Sequence, residues 1–186
     1  AGRHYLIQHS AGSGKSNSIA WLVHQLVEAT HQGAVAFDSL IVVTDRVILD
    51  DQLSQTIKSF LQVGSTVVHA DRSGDLRRAI TAGKKIIVTT VQKFPYILDD
   101  IGSEHQGRNF AIVIDEAHSS QGSKTSADVS RALGGGVDSD DEDSVEDQIN
   151  RIIEAKKLLP NASYFAFTAT PKNKTLEMFG EPVANP

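Results

Sequence analysis

The chain has 186 residues, 40% of them hydrophobic and 22% charged, enough for one domain with its own core and too apolar for a disordered segment. It has no cysteine, which excludes a disulfide framework and a zinc–thiolate site, and no apolar run near the roughly 20 residues that a membrane helix needs. The net charge of −5 argues against a nucleic-acid binder until its distribution is read. Residues 138–147, DSDDEDSVED, hold seven acids and no base, so the remaining 16 acids and 18 bases leave the body at +2.

The first predicted strand, Tyr5–Gln8, runs into HSAGSGKS at residues 9–16. Gly14, Lys15 and Ser16 end the phosphate-loop pattern G-x-x-x-x-G-K-[ST], with His9 standing where its first glycine belongs. The physics tolerates that loss. Gly12 and Gly14 let the backbone curl so that the N–H groups of Ala11, Gly12, Ser13, Gly14 and Asn17 can face an anion. Lys15 then reaches the β- and γ-phosphates, and the Ser16 hydroxyl reaches Mg²⁺. Lys15–Thr30 carries apolar residues at 19, 20, 22, 23, 26 and 27, a helical period whose positive end points at the loop.

Strand and helix then alternate. Leu40–Thr44 reads as a strand, Arg46–Leu61 as a helix, Thr66–His69 as a strand, Gly74–Ala82 as a helix and Lys85–Thr90 as a strand. None of the strands alternates cleanly between apolar and polar, as expected when helices cover both faces of a parallel sheet. Ala111–Asp115 ends in IVIDEAH, an apolar run that stops at two adjacent carboxylates. Asp115 and Glu116 on successive headings suit two jobs: one holds the metal, and the other polarises the water that attacks the γ-phosphate. The stretch 134–147 combines three glycines with the acid run and reads as a mobile surface loop before a helix near 147–159. The last predicted strand, Ser163–Thr168, leads into Thr168-Ala169-Thr170 and Pro171. Those hydroxyls bond the acid–histidine loop at His118 if this strand lies between the other two; otherwise the segment is an ordinary strand exit.

Together AGSGKS, DEAH and TAT resemble motifs I, II and III of the first RecA-like lobe of a superfamily two helicase motor. The stretches IVVTDRVILDDQL, VTTVQKF, DEAHSSQ and FAFTATPKNKTLEMFG resemble the restriction subunit of type I restriction enzymes over nearly the whole chain. The resemblance implies a RecA-like P-loop NTPase of α/β class, with a parallel sheet of about six or seven strands and helices on both faces. Residues 1–186 would form one lobe of a longer chain. It further implies ATP and Mg²⁺ as ligands and duplex DNA as the track. The implied partners are a second RecA-like lobe and a nuclease domain in the same parent chain, and methylation and specificity subunits. Lys15 and Glu116 would be catalytic, Ser16 and Asp115 would hold the metal, and His118, Thr168 and Thr170 would couple. Thr44, Asp45 and Arg46, with Thr90, Gln92 and Lys93, occupy the positions that face DNA in such motors; the plain alternative is helix capping and solvated charge.

No signal peptide opens AGRHYLIQHS, so a cytoplasmic location with no membrane contact is expected, and the glycosylation patterns at Asn161 and Asn173 are chance matches. Two other readings stay open: the lobe of an RNA helicase or remodelling ATPase, and a nucleotide-binding module with negligible turnover on its own.

Overall fold

A computed structural model describes residues 2–10, 13–44, 55–57, 67–70, 73–115, 145–156, 158–171 and 173–179. Eight strands lie among them: β1 (His4–Gln8), β2 (Thr30–His31), β3 (Ala34–Val35), β4 (Ser39–Thr44), β5 (Val67–His69), β6 (Ile86–Thr90), β7 (Phe110–Asp115) and β8 (Ala162–Thr168). The main helices are α1 (Lys15–Glu28), α2 (Ser73–Thr81), α3 (Phe94–Glu104), α4 (Val145–Lys156) and α5 (Asn173–Phe179). Six strands form one parallel sheet in the order β1-β8-β7-β4-β6-β5, and β2 and β3 form a separate antiparallel hairpin.

The sheet is apolar on both sides, and period-two alternation sorts its side chains into two cores. Leu40, Val42, Ile86, Val88, Ala111, Val113, Phe165 and Phe167 face α1, which presents Ile19, Ala20 and Val23. Ile41, Val43, Ile87, Ile112, Ile114, Tyr164 and Ala166 face the opposite layer, where α2, α3, α4 and α5 supply Leu76, Ile80, Phe94, Ile97, Ile101, Ile152 and Phe179. All six residues of β4 and all six of β7 are buried. Each fully buried branched side chain adds roughly 1.5–3 kcal/mol of transfer free energy, so the central strands are fixed in register by both layers.

Every strand predicted from the sequence is present, within one residue at each end. A hairpin, a 3₁₀ turn at Val91–Lys93 and two helices among the described residues went unread. The helix expected over Lys15–Thr30 stops at Glu28, and Thr30 opens the hairpin instead. A two-residue turn closes that hairpin, with both Gln32 (φ 52°) and Gly33 (φ 81°) left-handed. Helix α3 carries Pro95 in its first turn, where a missing N–H costs nothing. Helix α5 follows Pro171 directly after the last sheet strand. At the acidic stretch, residues 134–144 lie outside the described residues, while 145–147 belong to α4 rather than to a loop. The helix expected over Arg46–Leu61 is described only at residues 55–57, which are helical. Among the described residues no helix is long and apolar enough to cross a membrane.

Candidate nucleotide-binding site

Because the six strands run parallel, their C-terminal ends share one edge of the sheet. That edge collects Gln8 of β1, Thr168 of β8, Asp115 of β7, Thr44 of β4 and Thr90 of β6. Strand β8 lies between β1 and β7, which is the condition for Thr168 to stand between the phosphate loop and the acid pair. Gln8 is registered with Thr168, and Asp115 with Phe167.

Gly14 is the pivot of the loop. Its φ of 86° is left-handed, a conformation that a side chain would strain. Its carbonyl accepts the N–H groups of Asn17 (3.0 Å) and Ser18 (3.1 Å), which starts α1. The helix begins with no side-chain cap and no acid in its first turn. Its positive end is therefore left for an anion. Ser13, Gly14, Ser16 and Asn17 are exposed around it, as a loop that wraps a soluble ligand requires.

Lys15 crosses from this helix end to β7. Its Nζ lies 2.8 Å from Asp115 Oδ1, with side-chain exposures of 17% and 7%. By strand alternation Asp115 shares the heading of Ala111 and Val113, toward α1, which explains why the two groups meet. The pair sits at ion-pair distance, so the ammonium compensates the carboxylate in this structure. A carboxylate, a serine hydroxyl and phosphate oxygens are the hard oxygen donors that Mg²⁺ prefers. Asp115 and Ser16 therefore fit the metal that the phosphate-loop pattern implies.

The other expected residues divide. Ala11, Gly12, Asp45, Arg46, Glu116 and His118 lie outside the described residues. Thr168 is fully buried, and its Oγ1 has no partner among the described residues; Thr170 is exposed. Thr44 and Thr90 are register neighbours, and both side chains are buried, at 1% and 3% exposure. Gln92 and Lys93, in a single 3₁₀ turn after β6, are half-buried.

Sequence reasoning passed over two residues here. Gln8 Nε2 donates to the Ala169 carbonyl at 3.3 Å, tying the end of β1 to the TAT segment. The His9 ring bridges Ser13 and Ser18. A histidine replacing a glycine, with serines four and nine places on, was the available signal.

Comparison with known proteins agrees with the motifs. The chain is 29% identical over 187 residues to the type I restriction enzyme HindI endonuclease subunit of Haemophilus influenzae, an alignment that covers 95% of this chain and 16% of that subunit. It thus spans about a sixth of the length of that relative. Two solved structures share the fold. One is the yeast DEAD-box splicing factor Prp28, with TM-score 0.52, 17% identity, and 94% of this chain against 39% of that one. The other is Mss116p bound to ssRNA and AMP-PNP, with TM-score 0.54, 15% identity, and 96% against 34%. The architecture is that of a RecA-like lobe. The model of the SWI2/SNF2 ATPase family matches residues 2–185, and the chain belongs to that family.

Proposed function

We propose that this chain is the first motor lobe of a type I restriction subunit, binding ATP·Mg²⁺ and using hydrolysis to move duplex DNA past a complex that includes methylation and specificity subunits. The observation that supports it best is the meeting of Lys15 and Asp115 at 2.8 Å on the shared edge of the sheet, at the N-terminal end of α1, which has no side-chain cap.

In this reading the main chain of residues 11–17 cradles the β- and γ-phosphates, and Lys15 leaves Asp115 for the γ-phosphate as the triphosphate enters. Asp115 and Ser16 would hold the metal, which would supply charge screening to the triphosphate. Glu116 orients and deprotonates the attacking water. Thr168 and Thr170, with His118, relay the state of the site to the DNA side. There Gln92 and Lys93 offer an amide and a cation to phosphates, as does Arg46, and the chain at Thr44 and Thr90 contributes its backbone. A second lobe and a nuclease domain would come from the same parent chain.

Mutation of Glu116→Gln in the full chain tests the assignment. Binding of a fluorescent ATP analogue should stay within about twofold, while hydrolysis drops by about 100-fold or more. Full hydrolysis by that variant would remove Glu116 from its role. Stimulation of the wild-type ATPase by duplex DNA supports the restriction motor; stimulation by RNA alone refutes it.

A further inference from the structure

The phosphate-loop pattern leaves His9 without a task, yet its surroundings are specific. Its backbone N–H donates to the Thr168 carbonyl at 2.8 Å, extending the β1–β8 ladder by one bond. Its ring lies near Phe167, with centroids 6.5 Å apart. Ring Nδ1 is 2.6 Å from Ser13 Oγ in the loop, and Nε2 is 2.8 Å from Ser18 Oγ in the first turns of α1. The Ser13 hydroxyl also donates to the Ser10 carbonyl. A hydroxyl has one proton, so Ser13 accepts from His9 Nδ1–H, and Ser18 is the partner of Nε2. One ring thus joins the strand before the loop, the loop, and the helix after it.

We propose that His9 is a positioning residue for triphosphate binding: its ring fixes Ser13 and the first turns of α1 relative to β1, so that the N–H groups around Gly14 and the Lys15 stem meet the phosphates already ordered. This rests on the nucleotide-site reading above. Ordering the cradle before the ligand arrives lowers the entropic cost of binding and leaves the chemistry of the water attack untouched. The effect therefore falls on KM for ATP and not on kcat. It requires both ring nitrogens, so each amide that copies one of them restores part of it.

The test is ATPase kinetics and fluorescent-ATP binding on the full chain. His9→Ala should raise KM and Kd for Mg·ATP by about tenfold, as expected for two modest hydrogen bonds, with kcat within about twofold. His9→Asn, keeping a donor toward Ser13, and His9→Gln, keeping a partner for Ser18, should fall between. Ser18→Ala should weaken binding in the wild type and change little in the His9→Ala background. If His9→Ala does not fold, the Asn and Gln variants and Ser18→Ala carry the same comparison. Unchanged KM in His9→Ala, a fall in kcat instead of a rise in KM, or full additivity with Ser18→Ala would overturn the proposal. A wild-type chain that binds no Mg·ATP and is indifferent to Lys15→Ala would overturn the nucleotide site together with it. Loss of binding in Lys15→Ala with none in His9→Ala would overturn the role of His9 alone.

Discussion

An ion pair and a three-residue ionic cluster, with nearly equal contact lengths, sit on opposite layers of this lobe. Lys15 and Asp115 approach to 2.8 Å at the ends of α1 and β7. Arg77 of α2 holds Asp100 and Glu104 of α3, each at 2.9 Å. Distance does not separate them, but surroundings do. Arg77 and Glu104 are half exposed, Arg77 gives Asp100 two well-aligned hydrogen bonds, and its guanidinium is pushed further above its usual range, chiefly by that hydrogen bonding. It borders an open cavity of about 400 Å³ with Gly74, Tyr96, Asp99 and Asp100. Solvent screens such a pair, which mainly pins two helices together. Asp115 is buried, Lys15 is only partly exposed, and the helix end that carries Lys15 has no side-chain cap. An ion pair with every bond made is architecture. One set at a helix N-terminus with no side-chain cap lies where the proposed triphosphate would reach its lysine.

The sharpest way to break that contrast is Lys15→Ala. In the full chain it should lower ATP hydrolysis by about 100-fold or more and abolish the rise in melting temperature that Mg·ATP gives the wild type. Retained turnover would make the buried pair as architectural as the surface one. A smaller effect comes from burial without any ion pair, at Tyr164. Its hydroxyl accepts the Leu159 N–H at 3.3 Å, and burial raises its pKa from the usual 10 to about 12. The unfolded chain loses this proton first, so stability is intact below pH ~10 and falls as pH climbs toward about 12, by up to roughly 2–3 kcal/mol. Urea midpoints measured across that window should fall more steeply for the wild type than for Tyr164→Phe; parallel slopes would contradict it. The smallest effect belongs to Arg77→Ala, which should leave KM for ATP unchanged and the melting temperature nearly so, with any difference vanishing in high salt. A large loss of nucleotide affinity there would mean that the exposed pair is coupled to the site.

Strands were legible because burial on both faces writes itself as short runs such as Ile86–Thr90 and Phe110–Asp115, bounded by polar residues. The meeting of the loop with the acid at Asp115 was legible too, because motif chemistry demands a shared ligand. Helix α3 was not: Pro95 reads as a breaker until it is placed in a first turn, and the DNA-facing reading of Gln92 and Lys93 drew the eye to the turn before it. The hairpin hid because the apolar period of α1 fades gradually, and Gln32-Gly33 is a weak turn signal. The burial of Thr44 and Thr90 depends on what packs over the strand ends, which their positions in the sequence do not encode. The links made by His9 depend on how the loop folds back on α1, which spacing alone does not encode.

Strand β1, which delivers the phosphate loop, forms the rim of the sheet, and its partner in the ladder is β8, with His4 opposite Tyr164, 160 positions later. Contacts so distant along the chain are the slowest to close. During synthesis the loop must therefore leave the ribosome long before the surface that steadies it exists. Nucleotide capture should be among the last properties this lobe acquires, and a nascent chain halted before Ala162 should have none.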